Sequence, residues 1–295
     1  MKLVTTREVC ESAIKNNCVA GLFIVKNMEG VQGVLTAAQN EDSPVILGVS
    51  GRDFKSIGDL ESFILYIKSS IQRLNIPVAL HFDHGGEQSI KQILSAIRLG
   101  FTGVMYDTSI LPLEENIAAM KNVVGICHDV NVSVEGAIGR LCESDCGEYE
   151  EGEMEVSSLT GTSNIESYYT IPEEAKIFAE ETEVDIVAVS VGTVHGLPSF
   201  KVKIDIERLN NIRNMTNALL SIHGGSGTPE EEIIKLIRAG VSKINIGADL
   251  YKAVTNNVRE LVANNKVEMV WDFRNYRVIE EVAGRYIRLF NFFRK

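Results

Sequence analysis

Short apolar runs alternate with longer amphipathic segments along most of the 295-residue chain. Eight of these runs are rich in Val, Ile, Leu and Ala, a composition typical of strands that are buried on both faces. They span residues 20–25, 44–50, 77–84, 103–108, 132–139, 185–192, 218–223 and 243–246. Most of the segments between them have helical periodicity, and a regular strand–helix alternation predicts a parallel sheet covered by helices.

Eight strand–helix units over roughly 250 residues fit a closed (β/α)8 barrel, the TIM barrel, although an open doubly wound sheet shows the same alternation. The polar residues favour the barrel, because they lie at or just after the C-terminal ends of the strands, which form one rim in a barrel. These residues are Ser50, Asp83, His84, Asp107, Glu135, His195, His223 and Asn245. We therefore predict a single α/β domain over residues 1–295, a TIM barrel with a C-terminal helical extension over residues 265–295.

The net charge and the number of cysteines indicate which binding partners and which cellular location to expect. Asp and Glu number 40 against 29 Lys and Arg, so the net charge of −11 argues against a nucleic acid or an anionic membrane as partner. No apolar run reaches the ~18 residues that span a bilayer, and residues 1–10 lack the apolar core of a signal peptide. An odd number of cysteines, five, favours reduced thiols and a cytoplasmic location.

Three of the five histidines lie at or near the ends of predicted strands, and each is followed by glycine: His84, His195 and His223. Three imidazoles at one rim could bind zinc, which commonly takes three protein ligands and leaves a fourth position open. Hydrogen-bonded rim histidines are the alternative, and the repeated His-Gly pattern makes it the weaker one. His81 is interpreted as a packed barrel histidine, and His128 as a surface residue near a helix C-terminus.

Asp83 adjoins the predicted ligand His84 and points to the other side of the strand. A carboxylate beside a metal is a candidate acid or base in catalysis. Orientation of a histidine ligand is an alternative of nearly equal weight. The sequence alone leaves both roles open.

Two further segments at the same rim could bind phosphate. Residues 224–229 join a strand to a helix with three glycines, and backbone N–H groups in such a loop can bind phosphate. Residues 243–249 end the last strand beside that loop, which is the usual phosphate region of a TIM barrel.

The acidic segment 140–164 is long for a barrel connection. It is either a mobile active-site loop that carries Glu143, Asp145 or Glu148 over the site, or a disordered acidic loop.

The motifs resemble those of the class II, metal-dependent ketose-bisphosphate aldolases, which include the fructose- and tagatose-bisphosphate aldolases. They occur in the family's order across nearly the whole chain: HFDHG (81–85), GVMYDTS (103–109), SVEGAIG (133–139), VGTVHG (191–196), SIHGGSG (221–227) and KINIGADL (243–250). The resemblance implies an aldehyde-lyase of carbohydrate metabolism. Such an enzyme makes or breaks a C–C bond of a phosphorylated ketose or related keto compound through a zinc-stabilised enediolate.

The resemblance also implies roles for particular residues. One catalytic Zn²⁺ per subunit would be held by His84, His195 and His223, and Asp83 would exchange a proton with the substrate. A loop carboxylate, Glu143 or Asp145, would protonate the enediolate carbon. Substrate and phosphate would contact a further set of residues at the rim, namely Ser50, Gly196, Gly224, Ser226, Asn245 and Gly247.

The resemblance further implies a homodimer or homotetramer, and it leaves open a monovalent cation near the phosphate site. The aromatic-rich final helix carries more apolar surface than one helix face needs against a barrel, which makes it a candidate for contact with a partner subunit. Its aromatic residues are Tyr286, Phe290, Phe292 and Phe293.

Several positions depart from the family pattern. Ala137 replaces the second Glu of VEAELG, Ile24 replaces the Asn of AFN, and Ser199 replaces a Lys that usually follows the second His-Gly. Gly247 stands where fructose-specific members have Asp, and Ala248 stands where the family usually carries Thr. The departures predict that fructose 1,6-bisphosphate is not the substrate, or is a poor one.

Two other functions stay open at this point. One is a non-catalytic barrel that kept the metal residues and binds a sugar phosphate or a protein partner; Ile24, Ala137 and Ala248 favour it, whereas Asp83 favours an enzyme. The other, less favoured, is metal-assisted hydrolysis. No lysine is clearly placed for Schiff-base chemistry, although Lys243 at a strand start stays a candidate.

Overall fold

The structure of the protein is a computed structural model that describes residues 3–84, 89–140, 142–143, 168–266, 269 and 273–294. Of the predicted active-site loop, Asp145, Glu148 and most of the segment 140–164 lie outside these residues. None of the helices in the described ranges is long and apolar enough to cross a membrane.

The described residues form ten strands and eleven helices. The strands are β1 (Ala20–Ile24), β2 (Val45–Ser50), β3 (Val78–Asp83), β4 (Gly103–Tyr106), β5 (Ser133–Ile138), β6 (Cys142–Glu143), β7 (Ile186–Val189), β8 (Val194–His195), β9 (Leu219–Ile222) and β10 (Lys243–Ile246). The helices are α1 (Thr6–Lys15), α2 (Met28–Asn40), α3 (Asp53–Ser56), α4 (Leu60–Ile71), α5 (Ile90–Leu99), α6 (Leu113–His128), α7 (Pro172–Thr182), α8 (Ile206–Met215), α9 (Glu230–Arg238), α10 (Ala248–Ala263) and α11 (Asn275–Phe290).

Eight strands close into a parallel barrel in the order β1, β2, β3, β4, β5, β7, β9, β10. The first and last strands pair in parallel, with Ala20 opposite Lys243 and Phe23 opposite Ile246, so the sheet has no open edge. The closed (β/α)8 barrel predicted from the strand–helix alternation is confirmed, and the open doubly wound sheet is excluded. Strands β6 and β8 form a separate two-stranded ribbon at the mouth.

The strands are apolar on both faces because one face packs against the helices and the other faces the barrel interior. In β1, Phe23 is fully buried in the large core between the barrel and its helices. Its neighbour Leu22 is also fully buried, but it packs inside the barrel with Ile46 and Ala79. Alternation along a strand therefore separates the outer core from the barrel interior, and the last inward-facing residue of each strand reaches the rim.

Helix α1 precedes the barrel and was not predicted from the hydrophobic pattern. It begins with a capping box, in which the Thr5 side chain accepts from the Glu8 N–H and the Glu8 carboxylate accepts from the Thr5 N–H. Its buried residues, among them Val9 and Cys10, pack against β1, β2, β3 and β9. The preceding residue Leu3 pairs with Val78 at the start of β3, so α1 covers the N-terminal end of the barrel.

The predicted sixth strand, residues 185–192, is shorter than expected and does not lead directly to His195. Strand β7 ends at Val189, and His195 lies on the separate strand β8. The chain turns at Gly192, whose φ is 117°, and an added Cβ there would lie 2.4 Å from the Lys203 carbonyl oxygen. His195 therefore lies on the ribbon, after the turn that follows β7, and not at the end of a barrel strand.

Helix α11 forms the C-terminal extension and packs against α2 and α10. Tyr286 and Phe290 are 4% and 1% exposed, so two of its aromatic side chains are buried within this chain. Phe292 is 58% exposed. The exposed apolar surface of α11 is therefore smaller than the sequence suggested. Contact between this helix and a partner subunit stays a prediction.

Two helical glycines make a matched test of the α2–α11 contact. An added Cβ at Gly33 in α2 would lie 2.5 Å from the Tyr276 carbonyl oxygen, whereas nothing lies within 4 Å of one at Gly125 in α6. We expect Gly33→Ala to lower the free energy of unfolding by about 1–3 kcal/mol through overpacking. Gly125→Ala should raise it by about 0.4–1 kcal/mol. Urea unfolding of both variants checks this, and stabilisation by Gly33→Ala would contradict the packing.

Candidate active site

Three histidines from different parts of the sequence meet at the mouth of the barrel. His84 follows β3, His195 ends β8 and His223 follows β9. The ring centroid of His84 lies 4.8 Å from that of His195 and 4.9 Å from that of His223. The centroids of His195 and His223 are 5.8 Å apart. One ring nitrogen from each lies within 4.8 Å of the others. The structure thus brings together the three residues predicted as metal ligands.

Carboxylates orient two of these rings. Glu135 Oε1 lies 2.8 Å from His223 Nε2, and Asp107 Oδ2 lies 3.6 Å from His84 Nδ1. An ionised carboxylate can only accept, so the ring nitrogen that faces it carries the proton and the opposite nitrogen keeps a lone pair for a metal. His84 would therefore offer Nε2, and His223 would offer Nδ1.

The pKa values of these groups follow from burial and from their partners. Burial alone would lower the pKa of His84, but the contact with Asp107 and the charge of Asp83 outweigh it and raise that pKa. Burial would raise the pKa of Asp107, yet its contact with His84 lowers it to about 2. Burial lowers the pKa of His223 to about 4. His223 is thus neutral at physiological pH, as a metal ligand must be.

The donor set fits zinc. Zinc takes imidazole nitrogen at about 2.0–2.1 Å, so two ligand nitrogens can be at most about 4.2 Å apart. The 4.8 Å span of the three nitrogens means that the rings would have to close by several tenths of an ångström on one ion. Imidazoles whose far nitrogens face carboxylates, as those of His84 and His223 do, are the usual surroundings of such an ion.

Asp83 is the last residue of β3, and it is 5% exposed. Burial would raise the pKa of this carboxyl, but the nearby imidazoles of His223 and His84 and the ammonium of Lys243 lower it. The amide nitrogen of Asn245 donates to Asp83 Oδ1 at 3.2 Å. Since Asp107 and Glu135 supply contacts that orient histidine rings, the geometry favours the acid–base role for Asp83 over the orienting one.

A group of charged and polar side chains lies inside the barrel beneath the histidines. Lys243 and Glu135 are both 0% exposed, and Lys243 Nζ lies 2.9 Å from Glu135 Oε2. Lys243 also donates to Asn245 Oδ1 at 2.5 Å, and Ser221 donates to Glu135 Oε1 at 2.5 Å. The fully buried His81 has Nε2 3.4 Å from Glu135 Oε2.

Sequence reasoning missed this group as a unit. The sequence did contain one indication of it. Lys243 lies two residues before Asn245, and residues at this spacing in a strand face the same side. Since the Lys243 ammonium contacts Glu135 and Asn245 in the barrel interior, its position argues against a Schiff-base role.

The predicted phosphate-binding residues gather where β9 and β10 end. Ser226 Oγ accepts from the N–H groups of Gly247 and Asp249, at 3.1 and 3.2 Å. Gly227 N–H donates to Asp249 Oδ2 at 3.1 Å. An added Cβ at Gly224 would lie 2.2 Å from the Val194 carbonyl oxygen, so only glycine lets this loop approach the ribbon.

The other predicted site residues lie around the same mouth. Ser50 ends β2, and its hydroxyl donates to Asp53 Oδ2 at 2.9 Å. Gly196 follows His195 with a φ of 84°. The backbone register of the ribbon sets Glu143 opposite His195, so the start of the predicted active-site loop lies beside a predicted ligand.

Ile24 and Gly247, two of the departures from the family pattern, are neighbours. An added Cβ at Gly247 would lie 3.2 Å from Ile24 Cγ1. Ala137, a third departure, is buried in a small apolar cluster with Met105 and Ala188. The mouth therefore has apolar walls where the family pattern has polar side chains.

Comparison with known proteins agrees with the motifs and the fold. The family described as fructose-bisphosphate aldolase class-II matches residues 4–295. The fructose-bisphosphate aldolase of Geobacillus stearothermophilus is 34% identical over 267 residues, which cover 90% of this chain and 88% of that protein. The corresponding enzyme of Staphylococcus aureus strain Mu50 is 33% identical over 278 residues, 94% of this chain and 91% of that protein.

The solved structure of the YdjI aldolase from Escherichia coli K12 matches with a TM-score of 0.82 and 28% identity, over 98% of this chain and 97% of that one. A putative fructose-1,6-biphosphate aldolase from Coccidioides immitis has the same TM-score at 21% identity, which supports the fold alone.

A closed barrel with three imidazoles and an ionised carboxylate at its mouth is the scaffold of an enzyme with a candidate metal centre. Because the family match spans nearly the whole sequence, the chain belongs to the class-II fructose-bisphosphate aldolase family. The resemblance drawn from the six motifs is confirmed. Members of this family are aldolase-type lyases and are generally zinc-dependent, so the protein is an aldehyde-lyase.

Proposed function

We propose that the protein is a zinc-dependent lyase that makes or breaks a C–C bond of a phosphorylated ketose or a related keto compound. The observation that carries the proposal is the cluster of three imidazole nitrogens within 4.8 Å beside the buried Asp83. One ion per subunit would be held by His84, His195 and His223. When bound, zinc would supply a Lewis acid that stabilises the negative charge left on the keto fragment as the bond breaks.

Asp83 moves the proton of the reaction. Its lowered pKa keeps it ionised, so in cleavage it can take the proton of the substrate hydroxyl at the bond that breaks. In condensation it returns that proton to the new hydroxyl. Asn245, which donates to Asp83 Oδ1 at 3.2 Å, holds this carboxylate in place and contacts the substrate.

A carboxylate of the segment 140–164 would exchange the second proton, at carbon. Glu143 is favoured by its backbone position opposite His195 in the ribbon. Asp145 is the other candidate, and the segment would act as a lid that excludes water.

The phosphate of the substrate would lie at the ends of β9 and β10. Gly224, Ser226 and Gly247 form a compact loop pair there, next to the start of α10 at Ala248, whose N-terminus favours an anion. Ser50 and Gly196 complete the predicted contacts. A monovalent cation near this site is a further proposal.

The substrate is expected to differ from fructose 1,6-bisphosphate because the walls of the mouth differ. Ile24 offers no amide to a sugar hydroxyl, and Gly247 offers no carboxylate. The cluster of Met105, Ala137 and Ala188 favours an apolar or less hydroxylated part of the substrate on its side.

We also propose a cytoplasmic homodimer or homotetramer. Phe292, which is 58% exposed at the end of α11, is a candidate for the subunit contact.

Removal of the metal should abolish activity. We expect prolonged treatment with EDTA to eliminate C–C cleavage of any turned-over ketose phosphate, and zinc or cobalt to restore it. Borohydride added with substrate should leave the chain unmodified by mass spectrometry, because no Schiff base forms. Activity that survives chelation together with trapping by borohydride would contradict a metal-dependent reaction.

Asp83→Asn should separate chemistry from metal binding. We expect kcat to fall about 10²–10⁴-fold, because the isosteric amide cannot accept the proton, while the zinc content stays at one per chain. Asp185→Asn is the matched control, since Asp185 is also buried (8% exposed) but pairs with Arg7 and His128 just before β7, at the end of the barrel opposite the three predicted ligands. A kcat that Asp83→Asn leaves unchanged would favour the non-catalytic or hydrolytic alternatives.

A substrate panel should show a preference for other keto compounds. Phosphorylated and unphosphorylated ketoses and aldehyde pairs would be compared side by side with the Staphylococcus aureus fructose-bisphosphate aldolase. We expect kcat/KM with fructose 1,6-bisphosphate to be about 10²-fold or more below that of the reference enzyme. Turnover of this sugar equal to that of the reference would show that Ile24 and Gly247 do not set specificity.

A further inference from the structure

We propose that Glu135 and Lys243 are positioning residues for the active site: Glu135 holds His223 in its metal-binding tautomer, and Lys243 fixes the amide of Asn245 toward Asp83. The assignment rests on the proposed metal site and extends it to two residues that contact neither metal nor substrate.

The location of the pair is costly for the fold. Both side chains are 0% exposed, and they connect β5 with β10 across the barrel interior. Interior positions of such barrels are usually filled by branched apolar residues. A buried ion pair seldom stabilises a protein more than apolar residues of the same volume would. Stability alone therefore does not explain why two charges lie beneath the histidines.

Glu135 acts on the tautomer of His223. Its Oε1 lies 2.8 Å from His223 Nε2 and also accepts from Ser221 at 2.5 Å. Lys243 Nζ lies 2.9 Å from the other carboxylate oxygen, Oε2, and an ammonium only donates, so Glu135 acts as an acceptor at both oxygens. The proton of the neutral imidazole must then be on Nε2, which leaves the lone pair of Nδ1 for the metal.

Lys243 acts on the orientation of Asn245. An ammonium only donates, so the atom 2.5 Å from Lys243 Nζ is the amide oxygen of Asn245. The amide nitrogen then points to the other side, where it lies 3.2 Å from Asp83 Oδ1 and 3.3 Å from both ring nitrogens of His223. Without the ammonium, the amide could rotate by half a turn and present its oxygen to the Asp83 carboxylate, which would repel it.

Four variants test the assignment. Glu135→Gln is nearly isosteric, but its amide can donate to His223 Nε2 and so permits the other tautomer. Lys243→Met removes the donor to Asn245, and the double variant removes both charges together. Thr6→Val is the matched control: it deletes a fully buried hydroxyl 3.0 Å from His81 Nδ1, away from the three predicted ligands.

Three readouts are compared with the wild type. They are zinc affinity from competition with a chromogenic chelator, the absorption spectrum of the cobalt-substituted protein, and kcat and KM for cleavage. Circular dichroism establishes that each variant is folded.

We expect Glu135→Gln to weaken zinc binding about 10–100-fold and to change the cobalt spectrum. Lys243→Met should lower kcat about 10–100-fold with a smaller change in zinc affinity, because it acts directly on Asn245 and Asp83 and reaches the ligand His223 only through Glu135. Thr6→Val should keep the wild-type zinc affinity and cobalt spectrum even if its melting temperature falls.

Zinc binding and a cobalt spectrum that Glu135→Gln leaves unchanged would overturn the assignment, and so would a kcat that Lys243→Met leaves unchanged. Where a single variant fails to fold, the charge-neutral double variant decides, and it should fold and show both losses. If the double variant also fails to fold, the pair is structural and the assignment is wrong. A wild-type protein that binds no zinc would refute the proposed metal site itself, which is a distinguishable result.

Discussion

The site depends on one carboxylate that is completely shielded from water. Glu135 lies inside the barrel, where an isolated charge would be strongly unfavourable, and three groups compensate it: the Lys243 ammonium at 2.9 Å, the Ser221 hydroxyl at 2.5 Å and the His223 ring at 2.8 Å. Each of these contacts comes from β9 or β10 or from the residue just after β9. Through these contacts Glu135 connects β5 with β9 and β10, next to the predicted ligand His223.

The barrel makes this arrangement possible because alternate residues of a strand face opposite sides. In β10, Lys243 and Asn245 face inward at successive depths, so the lysine contacts the buried carboxylate and the asparagine reaches Asp83 at the rim. In β3, His81 and Asp83 likewise face inward, with His81 deeper in the barrel and Asp83 at the rim. The outward residues of the same strands pack against the helices, so the chemistry inside does not interrupt the main core.

Much of the fold could be predicted from the sequence, because eight buried parallel strands leave a strong apolar pattern and Lys243–Ile246 is the last of them. Helix α1 was not predicted from the sequence because it contains few apolar residues. Its start signal, the Thr5–Glu8 capping box, covers only four residues. The ribbon of β6 and β8 was missed because two-residue strands have no period, and their pairing depends on the turn at Gly192.

The prediction of the site was similarly uneven. Repeated His-Gly pairs identified residues that the fold does bring together, although only contact distances could divide the carboxylates into an acid–base candidate, Asp83, and partners of histidine, Asp107 and Glu135. The role of Lys243 was not readable, since a lysine at a strand start can face solvent, substrate or a buried acid. The family motifs indicated the reaction class, and the apolar residues Ile24 and Ala137 predict a substrate other than fructose 1,6-bisphosphate.

We propose that three histidines at the barrel mouth bind a single metal next to the residue that moves the proton. The most direct measurement is a crystal structure of the zinc-loaded protein with a keto phosphate ligand, with anomalous data collected on both sides of the zinc absorption edge. We expect one anomalous peak within bonding distance of His84, His195 and His223, with a ligand oxygen within hydrogen-bond distance of Asp83. An anomalous peak elsewhere, or a ligand held far from Asp83, would contradict it.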